Sequence, residues 1–477
     1  MRSPKGSWES ELNDLNPECR RSALDQLLDR VRQGEIVFPE PGHAVNLHCH
    51  TFFSFNGYGY SPTFFAWKAR CEGLRVAGIV DFDVLDAVDE FLEVCPRLGL
   101  RGCTGIETRV FVREFATREI NSPGEPGIAY HMGVGFTSGN RGNGGQSPIS
   151  SGRFASWMEE NGEIGDSPPN KALLAEFKRT AQERNRSVAM RVNAFLDPVV
   201  VDYESDVLPL TPNGNATERH LCIAYDGKAQ SLFPDETRRA EFWAGKLGTD
   251  RAEVRSVLND PPAFQALIRS RTMKAGGVGY VKPSGPDFPT LESMNAFVLE
   301  AGAIPTFAWL DGTSEGEQAI EELLDVMLKG GVAAVNIIPD RNWNITDPAV
   351  KKTKLDHLYR FVDLARSHDL AISVGTEMNA YGQRFVDDFD SPELQPLTPL
   401  FLEGAHIIYA HTILQARAGM GYLSDWAKRS FASAKEKNAF FKHIGEVVDP
   451  SRKDLLAGIG PHMTPKDIET AKCQRRR

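Results

Sequence analysis

Short runs of apolar residues alternate with helical patterns in the first part of the chain. Apolar runs lie at 45–48, 76–82 and 102–111, and the segments between them repeat apolar residues every three or four positions. An N-terminal helix is predicted within 8–34. Because strands separated by helices are typical of parallel sheets and barrels, the pattern predicts an α/β protein.

The middle third of the chain has a different pattern. A strand is predicted at 129–136, and the glycine- and serine-rich stretch TSGNRGNGGQSPISSG follows it. That composition favours mobility over packing. From about 170 to about 273 the apolar residues recur at helical spacing, as Leu174, Phe177 and Ala181 illustrate. We therefore expect a mainly helical subdomain here.

Alternation of strands and helices resumes in the last third. The predicted strands are 303–310, 332–340, 370–377 and 406–412, with helical patterns between the first three. A barrel that is interrupted once and then completed accounts for this order. Its size, 477 residues, fits one α/β barrel with an insertion.

These patterns divide the chain into five segments. They are an N-terminal helical appendage (1–42), a first part of the barrel (43–136), a mainly helical inserted subdomain (137–280), a second part of the barrel (281–450) and a partly disordered C-terminal tail (451–477).

Composition narrows the classes of protein that remain. Hydrophobic residues at 41% and charged residues at 25% match globular proteins. A net charge of −10 gives no broad basic face, so neither long nucleic acid nor a membrane is an expected partner. Seven cysteines without CxxC spacing and the lack of a long apolar segment favour a cytoplasmic location. No pattern indicates the oligomeric state.

Candidate metal ligands follow several of the predicted strands. His48 and His50 lie two apart at the end of a strand, so both imidazoles project from one face and can bind one metal ion. Ordinary polar residues at a strand end would give the same pair. Further ligand-type residues are Asp81, Glu107, His131 and Glu377. In a parallel barrel the strand ends converge at one mouth, which favours a shared metal site.

At this point the sequence resembles the polymerase-and-histidinol-phosphatase (PHP) family. NLHCHTFFSFNGYGYSP is similar to its first motif, VAGIVDFDVLDAVDEF to its second, and GCTGIET to its third, which carries a bridging glutamate. AYHMGVGF resembles the histidine strand, GAIPTFAWLDG the alanine-histidine-proline motif, and AISVGTEMNA the final motif. In the middle, NATERHLCIAY is similar to a Gly-Arg-Pro-His segment of the phosphoesterase branch. The resemblance covers about 45–380 and implies a distorted PHP-type (β/α)7 barrel with a helical insertion.

The resemblance also implies how metal ligands are shared. One site would consist of His48, His50, Glu107 and Glu377, with glutamate in place of the family's aspartate. A second would keep Glu107 and His131. The cofactor is therefore expected to be one or two divalent ions, and histidine and carboxylate ligands suit zinc, manganese and iron alike.

Three departures from the family motifs weaken the remaining sites. Phe82, Trp309 and Asn379 stand where the family has metal histidines. Phenylalanine and tryptophan side chains cannot bind these metals. The third site would be left with Asn56, a poor ligand, and no third ion is expected.

Each of five further residues could have either a functional or a structural role. Asp81 either orients a ligand histidine or caps the next helix. Arg219, Lys282 and Arg341 could each hold a phosphate, or form surface salt bridges. His411 could be a general acid or substrate contact at a strand end, or a hydrogen-bonded structural histidine.

The sequence favours a metal-dependent hydrolase, with a phosphoesterase acting on a small phosphate ester or nucleotide as the leading reading. A non-catalytic PHP-like protein that binds a metal or metabolite is the main alternative, because metal ligands have been lost. An amidohydrolase-like hydrolase is less favoured, since no lysine stands at the position where that group usually carries one.

Overall fold

The computed structural model describes residues 5–138, 169–282 and 285–474. Most of the glycine- and serine-rich stretch predicted to be mobile, and the last three residues of the tail, lie outside these ranges.

Seven strands form one sheet in the order in which they occur along the chain. They are β1 (Val45–Cys49), β2 (Val76–Phe82), β3 (Arg101–Phe111), β4 (Ile128–Val134), β5 (Ile304–Trp309), β6 (Ala334–Ile337) and β7 (Ala371–Val374). All neighbours pair in parallel except β4, which is antiparallel to both β3 and β5. Beyond β7, the Glu377 amide donates to the His48 carbonyl at 2.8 Å, and the His50 amide donates to the Glu377 carbonyl at 2.8 Å. These bonds bring the sheet to near closure as a distorted TIM-like barrel.

Helices pack on the outside of this barrel and buried side chains fill its inside, so both faces of its strands are covered. Every residue of β1, β6 and β7 is buried, as the continuous apolar runs of a parallel sheet require. Before β1 lie α1 (Lys5–Glu11) and α2 (Pro17–Arg32), and between β1 and β3 lie α3 (Pro62–Cys71) and α4 (Val88–Leu98).

The segment between β4 and β5 is the helical insertion. Its helices are α5 (Pro169–Leu196), α6 (Glu218–Leu232), α7 (Glu236–Leu247), α8 (Arg251–Val257) and α9 (Pro261–Thr272), followed by α10 (Leu291–Glu300), which packs on the barrel. Trp243 and Phe264 are buried in a separate core of the insertion. Asn215 joins it to the barrel by donating to the carbonyls of Phe53 at 3.2 Å and Phe82 at 2.9 Å.

The second half of the barrel carries the remaining helices. They are α11 (Glu315–Gln318), α12 (Ile320–Lys329), α13 (Asp340–Trp343), α14 (Pro348–Ser367), α15 (Thr398–Ala418), α16 (Asp425–Ser430), α17 (Ala434–Val447) and α18 (Pro465–Gln474).

One predicted strand is wrong, because residues 406–412 form the centre of helix α15. This helix packs between β7 and α17, and it is buried on most of its surface. A fully buried helix loses the polar stripe that reveals helical periodicity, so a short apolar run within it has the pattern of a strand. No helix among the residues described is both long and apolar enough to cross a membrane.

A buried carboxyl group beside the barrel gives a prediction for stability against pH. Trp343 donates its indole N–H to Asp387 Oδ1 at 2.8 Å, and Asp387 is buried. Burial raises the pKa of Asp387 to about 7, although the Trp343 bond opposes this. The folded protein therefore holds a proton that the unfolded chain releases above about pH 4, and stability falls as pH rises toward 7.

Replacing this group with its neutral amide, Asp387→Asn, keeps the acceptor for Trp343 and removes the ionisation. The wild type should lose stability between pH 5 and pH 8, and the variant should not. The free energy of unfolding of the variant minus that of the wild type should therefore be roughly 2–3 kcal/mol larger at pH 8 than at pH 5. Urea denaturation at the two pH values measures it. A difference that does not change with pH would contradict this account.

A candidate metal centre at the barrel mouth

Three ligand atoms meet at the ends of β1 and β3. His48 Nε2 lies 3.3 Å from His50 Nε2, and Glu107 Oε2 lies 3.4 Å from the first nitrogen and 3.1 Å from the second. All three side chains are buried. Within the described ranges, these residues form the one group of three whose ligand atoms are close enough to hold a metal ion.

The tautomer of His48 is set by a neighbour on β6. Asn336 Nδ2 donates to Ser373 Oγ at 3.0 Å, which turns its carbonyl oxygen toward His48. His48 Nδ1 lies 2.8 Å from that oxygen and must donate to it. The lone pair of His48 Nε2 therefore faces the other two ligand atoms, as metal binding requires.

A second chain of hydrogen bonds sets the tautomer of His50. Ser54 Oγ donates to Asp81 Oδ1 at 2.7 Å and lies 3.3 Å from His50 Nδ1. The serine oxygen is thus left to accept from His50 Nδ1, and the His50 Nε2 lone pair faces the centre. Asp81 also accepts from the Thr51 amide and hydroxyl, both at 2.7 Å. Asp81 therefore lies behind His50 and not among the ligand atoms.

Charge at the centre is concentrated on Glu107. Burial would raise the pKa of this carboxyl, but His48 and His50 outweigh burial and hold it at about 2. Burial would likewise lower the pKa of His48, and Glu107 raises it instead. The carboxylate is ionised at neutral pH, yet its Oε2 accepts no hydrogen bond from any described residue.

The donor set fits a divalent cation. In the neutral tautomers that Asn336 and Ser54 select, two imidazole lone pairs and one carboxylate oxygen face one another, and Glu107 Oε2 has no hydrogen-bond partner among the described residues. A tetrahedral ion with ligands at roughly 2.0–2.2 Å separates those ligands by roughly 3.3–3.6 Å. The separations of 3.1–3.4 Å found here are close to that range.

Phe82 forms an apolar wall of the centre. It pairs with Glu107 in the sheet register, so both side chains lie on the same face. Its ring stacks on His50, with 4.2 Å between ring centroids. The ring thus packs against a face of His50.

Glu377, expected as a fourth ligand, is engaged elsewhere. Its carboxylate oxygens lie 3.0 and 3.3 Å from Arg341 Nη2, and Gln383 Nε2 donates to Oε2 at 2.9 Å. The positive φ of 60° at Glu377 directs the chain into this arrangement. The structure therefore places Glu377 beside the centre as the ion-pair partner of Arg341, and outside the group of three.

His131 is not brought to the centre. In the antiparallel register of β3 and β4, Met132 is opposite Glu107, so His131 projects from the other face of the sheet. There its Nε2 lies 2.6 Å from Asn295 Oδ1 on α10, and burial lowers its pKa to about 4. This placement corrects the expectation of a second metal shared by His131 and Glu107.

Trp309 also lies away from the centre. Its ring is buried and stacks on Phe361 of α14, with 4.6 Å between centroids. It therefore forms part of the contact between the barrel and α14.

His411 is a structural residue of α15 and not a group at a strand end. Its Nδ1 accepts from the Tyr422 amide at 2.9 Å, and its Nε2 lies 3.1 Å from the Gly135 carbonyl, to which it donates. Burial lowers its pKa to about 4, so it is neutral. The catalytic role expected for His411 is not supported, because both ring nitrogens are used in packing α15 onto the barrel.

Replacing this histidine, as His411→Ala, leaves a cavity and two buried backbone groups without partners. We expect a loss of roughly 2–4 kcal/mol in the free energy of unfolding, with no loss of metal from the folded protein. Thermal unfolding and metal content measure the two effects. A variant with unchanged stability and lower metal content would contradict the structural assignment.

The three candidate anion-binding cations differ in their surroundings. Arg341 pairs with Glu377, whose charge raises the Arg341 pKa. Arg219 lies in the first turn of α6, with its guanidinium carbon 5.5 Å from the Phe55 ring centroid. Lys282 is exposed at the end of the insertion.

Three residues of the site were not identified from the sequence: Asn336, Ser54 and Gln383. Asn336 is an amide in the middle of the apolar run VAAVNIIP, which is a signal that a buried polar partner exists. Ser54 and Gln383 stand in loops, where a polar residue has no such contrast with its neighbours.

Comparison with known protein families and with curated proteins finds no match. The chain resembles several solved structures, two of which follow. One is an amidohydrolase from Chromobacterium violaceum with bound sulfate and no metal, at 16% identity, covering 76% of this chain and 96% of that chain, with a TM-score of 0.45. The other is named as a candidate metal-dependent phosphoesterase from Bifidobacterium adolescentis, at 17% identity, covering 76% and 98%, with a TM-score of 0.41.

Proposed function

We propose that the chain is a metal-dependent hydrolase whose substrate is a small phosphate ester or nucleotide. The observation that carries this proposal is the pair of histidines with fixed tautomers, His48 and His50, which face the ionised Glu107 with no donor between them. Zinc, manganese and iron all suit this donor set. The net charge of −10 supports a small substrate in preference to long nucleic acid or a membrane.

A divalent cation held here would lower the pKa of a water molecule bound to it and would neutralise negative charge on a phosphoryl oxygen. The protein's own contribution begins with Arg341, whose guanidinium is next to the centre and is already held by Glu377. A planar guanidinium can bind two oxygens of one phosphate, so Arg341 can orient an ester whose third oxygen faces the histidines.

Arg219 is the second anchor in this proposal. Its guanidinium has no acceptor or ion-pair partner among the residues described, although it is partly buried. Burial and then Arg269 lower the pKa of Arg219 to about 10, which leaves it cationic at neutral pH. It lies in the first turn of the 15-residue helix α6, where the helix dipole also favours an anion.

A second candidate function is non-catalytic binding of a metal or metabolite. The observation that favours it is the limited donor set, because Phe82 stacks on His50 and His131 faces away. A single ion with three protein ligands can be structural or catalytic. Hydrolysis decides between the two functions.

The test combines metal content with hydrolysis. Protein purified without chelator is analysed by plasma mass spectrometry and assayed with p-nitrophenyl phosphate, before and after chelation. We expect close to one equivalent of metal and hydrolysis that chelation abolishes. Arg219→Gln should raise KM by roughly 10-fold, from loss of one charged hydrogen bond, while Arg429→Gln, which replaces an exposed side chain of α16, should not. Metal without hydrolysis of any phosphate ester would favour the binding function, whereas absence of metal would contradict the hydrolase and leave only the binding of a metabolite.

A further inference from the structure

Two loops at the barrel mouth carry a row of tyrosine rings. Tyr58 follows β1 and Tyr381 follows β7, with 5.1 Å between their ring centroids. Tyr60 also stacks on Tyr58, with 5.5 Å between ring centroids and 27° between ring planes. Tyr381 is 60% exposed and Tyr58 is 38% exposed. Single exposed aromatic residues are ordinary, but a contiguous row presents a surface on which a further ring can stack.

The central ring is fixed in position by both loops. The Tyr58 hydroxyl donates to the Gln383 carbonyl at 3.0 Å and accepts from the Gly382 amide at 3.1 Å. Its own amide donates to Asn56 Oδ1 at 2.8 Å. Gly57 touches the other loop so closely that a Cβ would lie 2.3 Å from the Ala380 carbonyl carbon. The row is therefore preorganised, which lowers the entropic cost of binding.

The same bonds connect the tyrosines to the metal centre. Asn56 Nδ2 donates to the His50 carbonyl at 2.8 Å, and Gln383 Nε2 donates to Glu377 at 2.9 Å. Tyr381 follows Glu377 by four positions, so their Cα atoms are at most about 14 Å apart. A ligand held by Arg341 thus has an exposed aromatic surface within reach of its organic part.

We propose that Tyr381, supported by Tyr58, binds a planar aromatic part of the substrate, such as a nucleobase or aryl ring. The inference rests on the proposed function for the position of the phosphate, and it narrows the substrate class to aromatic phosphate esters. The exposed Tyr381 supplies the stacking face. Tyr58 holds Tyr381 beside the centre.

Binding measurements test this inference without turnover. Isothermal titration compares adenosine 5′-monophosphate with ribose 5-phosphate, which carries the same phosphate and sugar without a base. Wild-type protein is expected to bind the nucleotide roughly 10-fold more tightly, the usual contribution of stacking one base on an aromatic side chain. Tyr381→Ala should abolish this preference and leave the binding of ribose 5-phosphate unchanged.

Two control variants make the result specific. Tyr381→Phe keeps the ring and should keep the preference, while Val350→Ala removes an exposed apolar side chain on α14 and should change nothing. Equal binding of the two ligands by the wild type, binding of neither, or a preference that survives Tyr381→Ala would each overturn the inference. Lack of hydrolysis alongside an intact nucleotide preference would count against the proposed function and leave this inference standing.

Discussion

The double variant His48→Ala with Glu107→Ala is expected to lose its tightly bound metal and its hydrolytic activity. The two replaced side chains provide two of three ligand atoms that lie within 3.4 Å of one another. Because loss of a residue that merely supports a ligand costs about 10–100-fold in metal affinity, loss of two ligands should cost more than about 1,000-fold. Competition against a chromophoric chelator measures the affinity.

The fold should survive this change for two reasons. The buried charge of Glu107 is removed together with its partner His48, so no unpaired charge is left, and both residues lie at the barrel mouth. Circular dichroism and thermal unfolding check that point. The matched control is His131→Ala, which deletes a buried histidine on the other face of the sheet and should retain the metal. Equal metal affinity in the double variant and the wild type would refute the assignment of the ligands.

The second large effect is expected for Asn336→Leu. Asn336 accepts the Nδ1 proton of His48, and leucine has a similar volume but no acceptor. Without that acceptor the imidazole can protonate Nε2 instead, and its ring orientation is no longer fixed. Metal affinity should fall by about 10–100-fold, and the free energy of unfolding should fall by roughly 1–3 kcal/mol because the buried His48 Nδ1 loses its acceptor.

Asn295→Leu is a matched control for this prediction. Asn295 is the buried acceptor of His131, so the same substitution is made beside a histidine that lies outside the centre. Its metal affinity should equal that of the wild type. Similar losses in both variants would indicate a general effect on the barrel, and an unchanged affinity in Asn336→Leu would contradict the role given to Asn336.

Much of the barrel could be predicted from hydrophobic patterns. Strand β2 was predicted with the bounds Val76–Phe82 that it has, and the helical region ends at Thr272, near the predicted end at about 273. The direction of β4 could not be predicted, because an apolar strand has the same pattern whether its neighbours run parallel or antiparallel. The helix around His411 was also missed, since full burial removed its periodicity.

The site could be predicted only where side-chain direction follows from local geometry. His48 and His50 lie two apart at a strand end, so they share a face in any register. His131 was assigned to the site because its strand was expected to end at the same mouth, and only the pairing of Met132 with Glu107 shows that it faces outward. Glu377 was expected as a fourth metal ligand, but its carboxylate pairs with Arg341 in a loop that sequence spacing does not define.

The central claim is that one divalent ion binds to His48, His50 and Glu107. Anomalous diffraction from crystals grown with zinc, recorded on both sides of its absorption edge, tests it most directly. The account predicts one strong peak at roughly 2.0–2.2 Å from the two Nε2 atoms and Glu107 Oε2. A map with no peak at these atoms, or with its strongest peak at His131 or another site, would contradict the account.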